Sequence, residues 1–325
     1  MENSSTIKWG IIGLGNIANQ FAADLLLIKD ATLIAAASRD KNKADAFAKR
    51  YNIQKAYDSY DALFADDEID IVYIATPHDS HAALSIKALE NGKHVLCEKP
   101  IALSHADALK MVEASRKHNK FFMEAFWTRF IPSVQEVLYK INNGIIGDLK
   151  YIKADFACLI QELEGNRMTD KKLGGGALFD IGVYPLFLSY IVLGKPKEIT
   201  AKSTYHKTGV DLQTTMILQY ENAQAVLHAG FISESDMKAT ISGTQGRIEL
   251  NSPWYMADGY SIFKDNHEAA FNLPNFGKGY AHEALECHYC IRNNQIESHQ
   301  WSHQNSLDLS EIVEEIKNQI GLSFS

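Results

Sequence analysis

The chain has 325 residues, of which 46% are hydrophobic and 22% charged, a composition typical of a globular protein with about two domains. Its formal net charge of -8 gives no basic face for nucleic acid, and no apolar run approaches the roughly 20 residues of a membrane helix. The opening residues 1–6 lack the basic and apolar parts of a signal peptide, so we expect a cytoplasmic protein.

The N-terminal part of the chain alternates short apolar strands with helical stretches. Ser104, with Asp107 three positions later, is the signature of a helix-capping box. Strand-helix alternation predicts a parallel, doubly wound α/β sheet, which we place in a domain over residues 1–125. The predicted strands are 7–12, 31–38, 69–75, 94–97 and 121–124, and the predicted helices are 16–27, 41–51, 81–90 and one that opens at Ser104.

A glycine-rich turn joins the first strand to the first helix. Gly13, Gly15 and Ala18 match the G-x-G-x-x-A form of the dinucleotide-binding fingerprint. Gly13 permits the tight turn, Gly15 lets the backbone approach the pyrophosphate, and Ala18 allows close packing of helix and strand. The helix N-terminus attracts the phosphate charge. This order of elements predicts a Rossmann domain that binds a nicotinamide dinucleotide.

The end of the second strand bears on which nicotinamide cofactor is used. An NAD enzyme usually places Asp or Glu there to hold the ribose 2′-hydroxyl. Here Arg39 can clamp a 2′-phosphate through its planar fork, and the hydroxyl of Ser38 can assist. Asp40 is able to face the ribose instead, but we expect it to cap the next helix. The sequence therefore favours NADP over NAD.

Polar residues follow two later strands of this half. Thr76 and His81 come after the third strand, where His81 either contacts the cofactor or starts the next helix and faces solvent. Glu98-Lys99-Pro100 directly follows the fourth strand. Because ligands bind at the carboxyl ends of strands in an open α/β sheet, Lys99 is a candidate for the reaction site.

Beyond residue 126 the pattern becomes an alternation of strands with turn residues. Such a meander predicts a mostly antiparallel sheet with helices on one side, in a second α+β domain over residues 126–325. Its open face can take a second subunit, so we expect a homodimer. The predicted helices are 134–141 and 177–193, and the predicted strands are 149–158, 199–205, 213–220, 223–231, 238–242 and 247–250.

Asp180 and Tyr184 are four residues apart in the predicted helix that follows the three glycines 174–176. On an α-helix they share one face, within reach of the same small molecule. A tyrosine with its ordinary pKa of about 10 is a poor base near neutrality, but a nearby lysine ammonium lowers that pKa. Lys99, Asp180 and Tyr184 together can move a proton off a substrate hydroxyl, which suits an enzyme that also moves a hydride.

Four cysteines are too scattered for a disulfide framework. His282, Cys287, His288 and Cys290 share one predicted helix, 281–292, where free cysteine behaves as a small hydrophobe. A closed zinc site needs four convergent ligands, so we predict no metal.

Taken together, these motifs resemble the Gfo/Idh/MocA oxidoreductase family, and within it the dimeric dihydrodiol dehydrogenase and NADP-dependent D-xylose 1-dehydrogenase group. The resemblance implies that Lys99 and Tyr184 form the catalytic pair, with Asp180 nearby. It runs through residues 10–15, 98–100, 124–130, 166–185 and 279–298. It also implies a cofactor-contacting set in which Trp127 and Arg129 lie near the nicotinamide, joined by Asn16, Ile17 and Glu98.

The sequence thus predicts an NADP-dependent dehydrogenase in which Tyr184, assisted by Lys99, exchanges a proton with a small sugar, polyol or trans-dihydrodiol. Two alternatives stay open. One is a nucleotide-binding regulator without catalysis, against which the presence of both Lys99 and Tyr184 argues. The other is an enzyme with tightly held cofactor that oxidises one sugar while reducing another.

Overall fold

The computed structural model describes residues 6–324, and these fall into two compact units. The first unit contains residues up to 130 together with 276–307, and the second contains 131–275 together with the residues from 308 onward. The opening segment on which we based the absence of a signal peptide lies mostly outside the described residues.

The first unit is built on a parallel six-stranded sheet with the strand order β3-β2-β1-β4-β5-β6, which confirms the predicted doubly wound α/β fold. Its elements are β1 Ile7–Ile12, α1 Asn16–Leu25, β2 Ala31–Ala37, α2 Lys41–Tyr51, β3 Lys55–Tyr57, α3 Tyr60–Phe64, β4 Ile71–Ile74, α4 His81–Glu90, β5 His94–Glu98, α5 His105–His118 and β6 Phe122–Ala125.

The second unit is built on an eight-stranded sheet with the order β14-β13-β12-β11-β7-β10-β9-β8. Within the described residues its strands pair antiparallel except β7 with β10, which confirms the mostly antiparallel sheet. Its elements are α6 Pro132–Asn142, β7 Leu149–Ala157, α7 Val183–Leu193, β8 Glu198–Tyr205, β9 Asp211–Gln219, β10 Gln224–Gly230, β11 Ala239–Gly243, β12 Gly246–Leu250, β13 Gly259–Lys264 and β14 His267–Asn272.

The chain ends with two helices, α8 Tyr280–Arg292 and α9 His303–Gln319. The sequence-based division put α8 in the second domain, whereas the structure places it in the first unit. Asp24 on α1 accepts hydrogen bonds from the backbone N–H groups of Lys278 and Tyr280, so it caps the start of α8. The indole of Trp9 on β1 donates to Nε2 of His288 over 2.9 Å. Such pairings lie 254 to 279 residues apart, and no local pattern predicts them.

One described stretch, Lys171–Leu193, is long and apolar enough to cross a membrane by length and composition, although the sequence analysis found no such run. In the structure 83% of that window is buried, and α7 packs on β7 and β10. Since a core helix of a folded domain passes the same test, the stretch is explained as the core of the second unit.

Candidate active site

The glycine turn of the first unit has the geometry of a dinucleotide cradle. Gly13 has a φ of +79°, and a Cβ there would lie 2.4 Å from backbone atoms of Ala75 and Thr76. Only glycine fits, because the β1 and β4 ends meet at that point. A Cβ on Gly15 would meet only the carbonyl oxygen of Gly13, at 3.9 Å. Protein packing does not require glycine at residue 15, whereas close approach of a pyrophosphate does.

Helix α1 begins directly after this turn without a capping side chain. Its N-cap is Gly15, and the first turn carries no acidic residue. Asn16 and Ile17 are exposed there. The uncapped N–H groups and the helix dipole present partial positive charge, which suits a phosphate. The residues present therefore fit the pyrophosphate of a dinucleotide.

The end of β2 separates the roles of three adjacent residues. The carboxylate of Asp40 accepts the N–H of Asn42 over 3.0 Å and caps α2, as predicted. The Ser38 hydroxyl accepts the N–H of Asp40 over 3.2 Å. Arg39 is exposed and is the cation at this turn. With Asp40 used as a cap, the groups left to recognise a ribose substituent are Arg39 and Ser38.

His81 is the first residue of α4 and is fully buried, so it does not face solvent. Its Nδ1 lies 2.9 Å from the carbonyl oxygen of Pro100, and its Nε2 lies 3.0 Å from that of Thr76. A neutral ring donates to one of these oxygens and the imidazolium to both, while burial lowers the pKa of the imidazole. His81 thus ties the turn after β4 to the turn after β5, which carries Lys99.

Around Lys99 the first unit gathers buried acidic groups. Lys99 itself is half-buried, and its backbone N–H donates to the carboxylate of Glu98 over 3.2 Å. Glu98 also accepts the hydroxyl of Tyr73. Glu283 of α8 is 0% exposed, and burial, together with the charges of Glu98 and Asp24, raises the pKa of its carboxyl well above the usual range. Burial therefore favours the protonated form of Glu283.

The segment after β6 presents two further predicted residues. Trp127 stacks on Tyr280 with ring centroids 4.7 Å apart and an interplanar angle of 28°. The Nε of Arg129 donates to the carbonyl oxygen of Gln300 over 2.8 Å. Both side chains are held by the segment 276–307, which the first unit recruits from late in the chain. Their predicted contacts with nicotinamide stay predictions.

In the second unit, the helix predicted from residue 177 begins as a π-helical turn, Leu178–Gly182, before α7. The carboxylate of Asp211 caps it by accepting the N–H of Leu178 over 2.8 Å. Gly176 has a φ of +120°, and a Cβ there would lie 2.3 Å from the Asp211 carboxylate. The third glycine is therefore required by both its backbone angle and this close approach.

Asp180 lies inside the π-helical turn and is buried. Its carboxylate accepts the guanidinium of Arg167 over 2.9 Å. The charge of Asp180 also contributes, after burial, to raising the pKa of the Cys158 thiol. The one-face argument for Asp180 and Tyr184 assumed an α-helix, and the wider π-helical turn changes that spacing.

Tyr184 is in the first turn of α7 and is 6% exposed. Its ring lies 5.5 Å from the centroids of both Phe156 and Tyr255. Those two rings stack on each other with centroids 4.2 Å apart and an interplanar angle of 9°. The three aromatic rings form one cluster that includes the predicted catalytic tyrosine.

The four residues considered as zinc ligands are buried or make hydrogen bonds to other groups. Within residues 6–324 no group of three or more His, Cys, Asp and Glu side chains has the geometry to hold a metal. Cys287 and Cys290 are buried free cysteines. The Nε2 atoms of His282 and His288 accept hydrogen bonds, from the N–H of Phe276 and the indole of Trp9 respectively.

The predicted residues are thus divided between the two units. Lys99 and all the predicted cofactor contacts belong to the first, whereas Asp180 and Tyr184 belong to the second. Sequence reasoning gave no role to Arg167, Phe156 or Tyr255, although Arg167 lies in a segment that carries the family resemblance. Arg167 and Tyr255 lie in the short 3-10 turns Arg167–Thr169 and Trp254–Met256, and Phe156 lies in β7, so no periodic pattern marks them as site residues.

Comparisons with known proteins show the family. The model for the oxidoreductase family with an NAD-binding Rossmann fold, named for Gfo, Idh and MocA, matches residues 7–126. The model for the C-terminal domain of the same family matches residues 134–249. The chain belongs to the Gfo/Idh/MocA family and is an oxidoreductase, which confirms the resemblance drawn from its motifs.

Two relatives and one solved structure illustrate the likeness. The chain is 37% identical to trans-1,2-dihydrobenzene-1,2-diol dehydrogenase of Xenopus tropicalis, over 98% of this chain and 99% of that one. It is 34% identical to the Homo sapiens protein of the same name, over 98% of both chains. A 3-ketoreductase of Actinomadura kijaniata, solved with NADP and TDP-benzene, superposes with a TM-score of 0.88 at 25% identity, covering 97% of this chain and 98% of that one.

Proposed function

We propose that the protein is an NADP-dependent dehydrogenase acting on a hydroxyl-bearing carbon of a small sugar, polyol or trans-dihydrodiol. The observation that carries this proposal is the packing of Tyr184 with Phe156 and Tyr255, which places the predicted catalytic tyrosine in a cluster with flat aromatic surface. Such surface favours cyclic substrates over open-chain polyols. The relatives at 37% and 34% identity, named as dehydrogenases of a cyclic diol, support the same choice.

Each residue has a role in this proposal. Tyr184 is the general base in oxidation and the general acid in reduction, and Lys99 assists it because a nearby ammonium stabilises a phenolate. Asp180, held by Arg167, orients the substrate. When bound, the nicotinamide accepts or supplies the hydride. Positioning of the substrate carbon relative to that ring supplies much of the remaining rate.

The proposed cofactor is NADP. Arg39 and Ser38 are the side chains at the end of β2 that remain for a 2′-phosphate once Asp40 caps α2. The 3-ketoreductase structure at 25% identity was solved with NADP, which supports the same cofactor. We propose a cytoplasmic location on the sequence argument alone.

We also propose that the protein forms a homodimer through the open face of the eight-stranded sheet. Ile217 and Tyr151, on β9 and β7, leave 47% and 37% of their surfaces exposed. Scattered exposed apolar residues are ordinary, so the test has to be direct. Light scattering should give twice the chain mass of 36.3 kDa, and Ile217→Lys should shift that mass toward one chain. A wild-type mass of one chain would contradict the proposal.

The activity is tested by offering the purified protein NADP⁺ with cyclic trans-diols, aldoses and open-chain polyols, and following NADPH. We expect turnover with a cyclic substrate carrying adjacent hydroxyls. Deuterium on the reacting carbon should appear in the reduced cofactor, which shows direct hydride transfer. Cofactor binding without turnover on any class would support a non-catalytic regulator instead.

A further inference from the structure

Glu124 is a carboxylate buried beside the turn that carries Lys99. It lies in β6, is 2% exposed, and pairs in register with Cys97 of β5. The dehydrogenase chemistry proposed above does not use it. A charged group in such a place is costly unless it accepts hydrogen bonds, so its partners indicate what the protein gains from it.

The carboxylate of Glu124 accepts from three donors on two segments. One oxygen accepts the backbone N–H of Ile101 over 2.7 Å. The other accepts the indole N–H of Trp301 over 3.3 Å, and the Ser306 side chain adds a third bond. Ile101 is two residues after Lys99, whereas Trp301 lies just before α9 and Ser306 lies in the first turn of that helix. Glu124 therefore joins the Lys99 turn to the segment 276–307.

The turn is held at two consecutive residues. His81 contacts the carbonyl oxygen of Pro100 from the α4 side, and Glu124 accepts the N–H of Ile101 from the β6 side. A backbone fixed at both of these residues leaves few positions for the Cα of Lys99. Catalytic groups gain rate from such fixing, since a displacement of about 1 Å can cost roughly 100-fold.

We propose that Glu124 is a positioning residue for Lys99, which it holds through the N–H of Ile101. The proposal rests on the role given to Lys99 above. A carboxylate accepts this bond more strongly than a neutral acid does, because charge-assisted hydrogen bonds are about twice as strong. Ionisation of Glu124 therefore tightens the Lys99 turn, and its protonation loosens the turn.

The groups facing Glu124 determine when it ionises. Burial raises its pKa to about 7, while the bonds from Ser306, Ile101 and Trp301 and the charge of Lys99 oppose that rise. Cys97 of β5 is a further titratable group that faces Glu124, and Trp301 and Ser306 contribute no charge. Turnover should accordingly rise as pH increases through about 7.

The first test is Glu124→Gln, compared with Trp301→Phe. The amide of glutamine cannot accept all three bonds, so we expect kcat to fall about tenfold or more with little change in the dissociation constant of NADP. The rise in kcat near neutral pH should disappear. Trp301→Phe removes one donor from the same carboxylate but spares Ile101, so it should retain most of the wild-type kcat when both proteins are compared at a pH high enough to ionise Glu124. Equal losses in both variants, or none in Glu124→Gln, would overturn the proposal.

Ser306→Ala provides a second test that keeps the carboxylate and perturbs the fold less. Loss of one hydrogen bond to the charged form should raise the pKa of Glu124, and the rise in kcat should move about one pH unit higher. If Ser306 had only a structural role, Ser306→Ala would change stability without moving the rise of kcat along the pH axis. A folded Ser306→Ala variant whose kcat rises at the same pH as that of the wild type would contradict the proposal.

Hydrogen exchange separates this inference from the proposed activity. At a pH high enough to ionise Glu124, peptides that span the Ile101 amide should exchange faster in Glu124→Gln than in the wild type, and at the wild-type rate in Trp301→Phe. We expect this difference in exchange even if no tested substrate is turned over. In that case the proposed function fails, but the role of Glu124 in holding the Lys99 turn is supported. Unchanged exchange in Glu124→Gln would overturn the role of Glu124 in holding the Lys99 turn, whether or not the protein is active.

Discussion

Buried carboxylates in the two units of this protein differ in their electrical surroundings, as Asp180 of the second unit and Glu124 and Glu283 of the first illustrate. In the second unit Asp180 accepts the guanidinium of Arg167 over 2.9 Å, so its charge has a cationic partner. In the first unit Glu124 and Glu283 are buried without such an ion pair, and burial raises the pKa of each carboxyl. The difference indicates that Asp180 has a cationic partner, whereas burial favours the protonated forms of Glu124 and Glu283, as it does for Asp211 in the second unit.

The largest effect expected from breaking this contrast is at Arg167. Arg167→Met removes this cation from Asp180, so the carboxylate reorients and kcat should fall up to about 100-fold. Arg167→Lys should recover part of the loss, because it restores the charge but not the planar fork. Steady-state kinetics with the best substrate measure both.

Arg247→Met is the matched control for Arg167. It removes an arginine from an exposed ion pair with Glu249, in the same unit. Exposed pairs contribute at most about 1 kcal/mol, so kcat should stay at the wild-type value. Comparable losses in Arg167→Met and Arg247→Met would show that the Asp180 pair has no special role.

A second prediction concerns the cation at the end of β2. Arg39→Ala should weaken NADPH binding about 10- to 100-fold and NADH binding little, because charge-assisted bonds to a phosphate are worth about 1.5–3 kcal/mol. Fluorescence titration of both cofactors measures the ratio. Lys49→Ala, on the exposed last turn of α2, is the control and should change neither affinity. Equal weakening of NADPH and NADH by Arg39→Ala would refute the clamp.

The smallest expected effect is on stability, at Glu283. A carboxyl whose pKa is higher in the folded state than in the unfolded state costs stability as pH rises from about 4.5 to the folded pKa, because only the folded state keeps the proton. Glutamine does not titrate, so Glu283→Gln should gain stability relative to the wild type by up to about 1.4 kcal/mol for each pH unit in that window.

Urea unfolding midpoints at several pH values between about 5 and 8 measure this gain. Glu113→Gln, on the exposed face of α5, is the control and should follow the wild type. A stability difference between wild type and Glu283→Gln that does not change with pH would mean that Glu283 is ionised in the folded protein.

Much of the first unit is predictable from the sequence, because parallel strands buried on both faces appear as apolar runs. Strand β1 and helices α2 and α4 have the predicted bounds. Strands β3 and β14 were missed for physical reasons. β3 has only three residues, which is too short to show a pattern. β14 is exposed along its whole length, so its sequence has no alternation of apolar and polar residues that burial would require.

The site is less predictable than the fold, because its geometry depends on pairs far apart in the chain. The π-helical turn is capped by Asp211, which lies 33 residues beyond the N–H that it accepts. The bond from Trp301 to Glu124 spans 177 residues. The residue types at Lys99 and Tyr184 are readable from motifs, whereas the groups that hold them are not.

The most direct test of the account is Tyr184→Phe against Tyr190→Phe, with NADPH formation measured on the best substrate. Both variants remove one hydroxyl from α7, and the hydroxyl of Tyr190 donates to Asp308. We expect Tyr184→Phe to lose about 100- to 10,000-fold in kcat with NADP binding intact, and Tyr190→Phe to lose little. Full turnover by Tyr184→Phe would contradict the central claim that this tyrosine exchanges the substrate proton.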